Sequence, residues 1–207
     1  MSMEGLYSWI GFLDKLNFST KMYNSIEDDF IRFLDYVPLD DQNLCVYSPK
    51  LLNIILNIGP EILSIFDLLA FTSRYKDDLD VERLSLLDKK KKLREKKRSL
   101  TFLDYFNFLS KIHDFKKAEV VVKDLHRSIS PFITEENRIP KWWACYNRLR
   151  HDKYSHFKEA TLNIALHGLG AAYYLIQYGY DLEGRKDFNS RVFERYLPQS
   201  ISLSDVF

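Results

Sequence analysis

From Ser19 to Tyr36 the apolar residues Met22, Ile26, Phe30, Phe33 and Leu34 recur at spacings of three and four, which puts them on one face of a helix. Ser19 and Thr20 are candidate caps, and Pro38 lies beyond the end. Ser48-Pro49 reads as an N-cap followed by proline at the first helical position. The apolar stretch Leu51 to Phe71 follows, and its Gly59-Pro60 pair predicts either two helices or one kinked helix. Residues 74–99 turn highly charged, an exposed helix or loop excursion, before Ser99-Leu100-Thr101 restarts a helical pattern through Phe102, Tyr105, Phe106, Leu109 and Ile112. Val120-Val121-Val122 is β-branched and predicts a short extended segment. Ser155 to Tyr178 is apolar around most of a helical circumference, hence central, and its small residues Ala165, Gly168, Ala171 and Ala172 allow a second helix close approach. An amphipathic Phe188 to Leu197 predicts a last docked helix. The fold class is therefore all-α, a single-domain helical bundle over residues 1–207 with one charged excursion.

Composition sharpens this picture in three ways. Fifteen Phe and thirteen Tyr against seven Gly and six Pro describe an aromatic core built from long elements with few tight turns. Neither a Walker-type loop nor a dinucleotide fingerprint is present, so nucleotide-cradling classes are excluded and no cofactor is expected. Cys45 and Cys145 stand alone without metal-ligand spacing, which points to a reducing cytoplasm and no metal site. The first residues, Met1 to Asn17, lack a signal-peptide pattern. Polar interruptions at Asn53, Asn57, Glu61 and Asp67 argue against a membrane span in Leu51 to Phe71. The acidic residues Asp77, Asp78, Asp80 and Glu82 lack calcium-loop spacing and read as solvated charge.

The net charge of +1 conceals a run from Lys89 to Arg98 in which eight of ten residues are basic. Eight cations in so short a run resist burial, so it is expected to be exposed and more mobile than the helices around it. Clustered cations bind phosphate backbones through counterion release, but they are also common on exposed helices. The densest chemistry lies elsewhere, in Trp142 to Phe157. Pro140 suits a helix start, and Trp143, Asn147 and His151 then repeat every four residues with Arg150 and Tyr154 adjacent. His151 and His156 are candidate proton-transfer groups near neutrality, and Arg148 and Arg150 are candidate phosphate ligands. An ion pair between Arg148 and Asp152, one turn apart, is the structural alternative, with Trp142 and Trp143 as core. His113, His126 and His167 read as isolated core or surface histidines.

Arg150, five intervening residues and His156 resemble the nuclease motif of the HEPN superfamily, helical domains of prokaryotes and eukaryotes. Tyr146-Asn147-Arg148-Leu149-Arg150-His151-Asp152 is also similar to the YNxxKHD-type stretch of uncharacterised bacterial HEPN-like proteins, an alignment that stresses Asn147, Arg150, His151 and Asp152 and makes His156 incidental. The resemblance covers about residues 101–180. It implies a helical bundle, frequent homodimerisation and, in active members, metal-independent RNA cleavage in defence, toxin or RNA-processing systems. It further implies that Arg150 binds the scissile phosphate, His156 or His151 transfers protons, and Asn147 orients the site. Inactive members of the family serve as binding modules, so a non-catalytic interaction protein with a structural Asn/Arg/His seam is the alternative.

Overall fold

A computed structural model describes residues 3–71, 80–134, 139–185 and 188–196. Among these, seven α-helices carry the fold and one three-stranded antiparallel sheet decorates it. The expected bundle is therefore present, with a small sheet at its side. Residues 74–79 of the charged stretch, with Asp77 and Asp78, lie outside the described residues, as do Met1 and Leu197.

Helix α1 runs Met3–Leu34, well upstream of the expected start. Ser19 and Thr20 are therefore interior residues rather than caps, and the Thr20 hydroxyl bonds back to the Leu16 carbonyl one turn earlier at 2.9 Å. Met22, expected in the core, is 41% exposed, and Tyr23 is buried in its place. Helix α2, Pro49–Ala70, starts as the sequence predicts: Ser48 is extended and its Oγ accepts from Leu51 N at 3.1 Å, with Pro49 in the first turn.

Gly59-Pro60 does not divide the stretch: of the two expected alternatives, α2 is a single helix with Pro60 inside it. Pro60 shares an exposed stripe with Asn53, Asn57 and Ser64, where a carbonyl left without its helical donor reaches water. Gly59 faces the opposite way, where an added Cβ would run into the Tyr146 ring, so this glycine is the point at which α2 crosses the helix that carries Tyr146. At 22 residues and a mean hydropathy of 1.5, α2 is by itself long and apolar enough to cross a membrane, which corrects the argument from its polar interruptions. Here its apolar face, including Ile54, Ile58, Ile62 and Phe66, is buried against α1 and the three helices of residues 102–109, 141–151 and 162–182.

Helix α3 (Asp80–Glu95) forms most of the described charged excursion, and α4 (Phe102–Leu109) opens on a reciprocal Thr101/Asp104 capping box. Strands β1 (Val120–Val122) and β2 (Arg127–Ile129) form a hairpin. Helix α5 spans Lys141–His151, α6 Lys153–His156, and α7 Leu162–Leu182. The expected helix from Ser155 is thus interrupted: a 3-10 turn over Phe157–Glu159 and an extended Thr161, which caps α7 by accepting from Ile164 N, separate α6 from α7. Gly168 of α7 permits the expected close approach, since a Cβ there would lie 3.2 Å from Ile58 of α2.

The expected C-terminal helix is instead strand β3 (Phe193–Arg195), which pairs with β1 to give the order β2-β1-β3. The physical reason is the buried carboxylate of Glu27. Its oxygens accept from Tyr23 Oη at 3.0 Å, Arg191 N at 3.2 Å, Val192 N at 3.3 Å and the Ser190 hydroxyl. Those donors hold the segment extended along α1 and deliver it to the free edge of β1. Phe66, Phe102, Phe106, Phe115 and Phe132 fill the aromatic centre, where Trp143 stacks on Phe102 at 4.6 Å and Trp142 Nε1 donates to Pro131 O at 2.7 Å.

Candidate functional site

Helix α5 buries Trp142, Trp143, Cys145, Tyr146 and Leu149, so its remaining positions must carry the polar residues. The stripe of Trp143, Asn147 and His151 accordingly crosses from core to solvent: Trp143 is buried, Asn147 half-buried and His151 exposed. Arg150 is exposed beside it. Its guanidinium lies 3.4 Å from His151 Nε2 and 5.7 Å from the centre of the Tyr146 ring.

At Asp152 the chain leaves the helix, with φ −146° and ψ 81°, and the carboxylate caps α6 by accepting from Ser155 N at 3.1 Å. Hydrogen bonding from Ser155 holds the Asp152 carboxyl below its ordinary range. The expected Arg148–Asp152 ion pair does not form, because Asp152 is occupied as this cap. Arg148 instead reaches Glu159 of the 3-10 turn, with Nε donating to Oε2 at 2.8 Å and a second guanidinium nitrogen on the same oxygen. The other oxygen of Glu159 meets His156 Nδ1 at 2.7 Å.

The result is a short chain of contacts, Arg148 to Glu159 to His156, at the mouth of the α5–α6 turn. Partial burial pushes the Glu159 carboxyl up, but the bonds from Arg148 and His156 outweigh it and hold the group below its ordinary range. The same carboxylate raises the Arg148 guanidinium further. With Nδ1 turned to the Glu159 carboxylate, His156 keeps Nε2 for proton exchange. Cys145 takes no part: its thiol donates to Glu159 O, and burial pushes its pKa up to about 12.

Three of the four expected site residues thus fall into two groups. Arg150 and His151 touch each other on the exposed end of α5, while His156 belongs with Glu159 and Arg148. Among the described residues no hydrogen bond joins the two groups, and Asn147 makes no side-chain hydrogen bond. Glu159 went unnoticed in the sequence, although its position three residues after His156 was a usable signal. The setting is cationic and aromatic: Lys153 and Lys158 are exposed, and Tyr154 is 86% exposed with Lys153 Nζ 5.5 Å from its ring. A short backbone pairing of Leu44 and Val46 with Asn163 and Leu162 braces the turn from behind.

The remaining histidines are placed apart, as expected. His113 Nε2 meets Tyr174 Oη at 2.5 Å, His167 Nδ1 meets Asn163 O at 3.0 Å, and His126 occupies the hairpin turn with φ 48°. Among the described residues no group of three His, Cys, Asp or Glu side chains is disposed to hold a metal. Compared with family models, with curated proteins and with solved structures, the chain matches none.

Proposed function

We propose that this chain is an RNA-associated helical protein of HEPN type whose α5–α6 turn cleaves a phosphodiester through the ribose 2′-hydroxyl. The observation that carries the reading is the partly exposed His156 ring aimed at Glu159 through Nδ1 at 2.7 Å, a carboxylate-oriented imidazole of the kind that works as a general base. His156 Nε2 takes the 2′-hydroxyl proton, the 2′-oxygen bonds to phosphorus, and the bond to the 5′-oxygen breaks. His151 supplies the proton to that leaving oxygen. Arg150 holds the phosphate, for which its guanidinium is free of any carboxylate among the described residues. Asn147, one turn earlier, orients the strand. In this reading two copies act together in the cytoplasm, each contributing one turn.

Purified protein incubated with RNA and a chelator is expected to release products ending in a 2′,3′-cyclic phosphate. Because general acid–base catalysis is worth ~10²- to 10⁴-fold, His156→Ala is expected to remove most cleavage with the fold intact, and Glu159→Gln to reduce it less. Arg150→Ala should weaken cleavage, and loss in His151→Ala but not His156→Ala would shift the base to His151. A second reading, a non-catalytic interaction module, is favoured by one observation: Arg148, Glu159 and His156 satisfy one another. RNA left uncut by the parent protein, or cut equally by all the variants, establishes that reading instead.

A further inference from the structure

The basic run is not uniformly solvated, as its sequence predicts. Lys89 Nζ pairs with Asp104 of α4 at 2.5 Å, and Lys90 pairs with Asp67 of α2 while lying 4.5 Å from the centre of the Phe71 ring. Lys111 reaches back to Glu82 at 3.3 Å, and Leu86 is buried between these contacts. One edge of α3 is therefore fastened to α2 and α4. The other cations, Lys91, Lys92, Arg94, Lys96, Lys97 and Arg98, are all exposed, and among the described residues none is paired with a carboxylate.

The end of α3 adds a second observation. Lys97 N donates to Arg94 O at 2.9 Å and Arg98 N to Leu93 O at 2.8 Å, the paired bonds of a helix stop that places Lys97 at φ 53°. Glycine meets that backbone requirement without steric cost, and a lysine does not. The position keeps a cation in the middle of a cationic turn at a conformational cost, in the manner of residues whose role is a contact rather than stability.

We propose that the outer surface of α3, together with the turn over residues 96–98 that ends it, is a second RNA contact, a fixed cationic rail that binds the phosphate backbone of a single strand irrespective of base. It rests on the reading of the chain as RNA-associated. The cations carry no interleaved aromatic side chain on which bases could stack, so binding is electrostatic and blind to sequence. A membrane surface fits less well. The exposed apolar residues Val81 and Leu84 lie in the first turns of α3, at the opposite end from the cations, whereas a surface helix carries its apolar stripe alongside them.

The test uses the whole protein and a labelled 2′-O-methyl oligouridylate, which cannot be cut because it lacks the 2′-hydroxyl. Combining Lys91→Gln, Lys92→Gln, Arg94→Gln, Lys96→Gln, Lys97→Gln and Arg98→Gln is expected to weaken binding at least ~10-fold. It should also flatten the dependence of log K on log salt by about two, the loss of roughly three phosphate contacts at ~0.7 each. Lys97→Gly alone, which relieves the backbone, should weaken binding while raising the unfolding midpoint. Unchanged affinity and salt slope in the combined variant overturn the rail, as does binding of the parent to phosphatidylserine vesicles but not to the oligonucleotide. If the rail variant loses the oligonucleotide while the parent cuts no RNA, the rail stands and the catalytic reading falls.

Discussion

Glu27 shows how much can hang on one side chain. It is 2% exposed, and its carboxylate gathers two hydroxyl and two backbone donors from α1 and from the segment entering β3. Stranding buried donors costs ~1–3 kcal/mol each, so Glu27→Ala is expected to lower unfolding free energy by about 3 kcal/mol or more in urea titration. Hydrogen exchange should localise the loss to Arg191 through Arg195. Gly59 gives the opposite kind of test, because alanine in a helix interior is ordinarily favourable by ~1 kcal/mol. Here the added methyl group would collide with the buried Tyr146 ring. Overpacking of this sort costs ~1–3 kcal/mol, so Gly59→Ala should destabilise, and a smaller residue at Tyr146 should make the two changes less than additive. Lys97→Gly should do the reverse of both, gaining about 1 kcal/mol from relief of the left-handed backbone.

At the scale of elements, acidification should loosen the contacts that α7 makes through its histidine partners. Burial holds the His113 and His167 imidazoles below their ordinary pKa, so the native state favours neutral rings while the unfolded chain takes up protons near pH ~6.5. Their contribution is complete above that value and is lost as pH falls through it towards the native pKa. The denaturation midpoint should therefore drop between about pH 7 and 5, with a shallower slope in His167→Gln; an unchanged slope would refute this assignment. Glu61, whose carboxyl burial pushes up, works in the opposite sense at more acid pH.

Helices whose boundaries are set locally were legible in the sequence. Ser48 and Thr101 cap α2 and α4 where their chemistry requires, and apolar periodicity marked α7 as central. Gly59-Pro60 leaves two helices or one open in the sequence, and burial against four other helices decides for one. The α5–α6 turn was half legible: Arg148, Arg150 and the histidines stood out by composition, but Glu159 joins them only after two changes of chain direction, at Asp152 and Phe157, that no periodicity records.

For the whole molecule, the bundle and its aromatic centre follow from pattern and composition, whereas the docking of α3 does not. Whether eight cations lie in water or on a surface depends on Asp67 and Asp104, carboxylates on helices distant in sequence. A proteolysis experiment reads this directly. Within the run, trypsin is expected to cut first in the Lys96–Arg98 turn and to spare the bonds after Lys89 and Lys90; equal cutting at both places would mean that α3 is not fastened.

The sheet order sets a schedule for folding during synthesis. Strand β1 finds β2 as soon as the hairpin leaves the ribosome, but its other edge waits for β3, which is made only after α5 and α7. Until then three consecutive valines present an open edge of the kind that recruits other chains. Glu27, waiting on α1 since the start of translation, is the latch that draws Ser190 to Val192 in and shuts that edge. A nascent chain stalled before this segment would be the aggregation-prone form of the protein, and chaperone capture should be strongest for it.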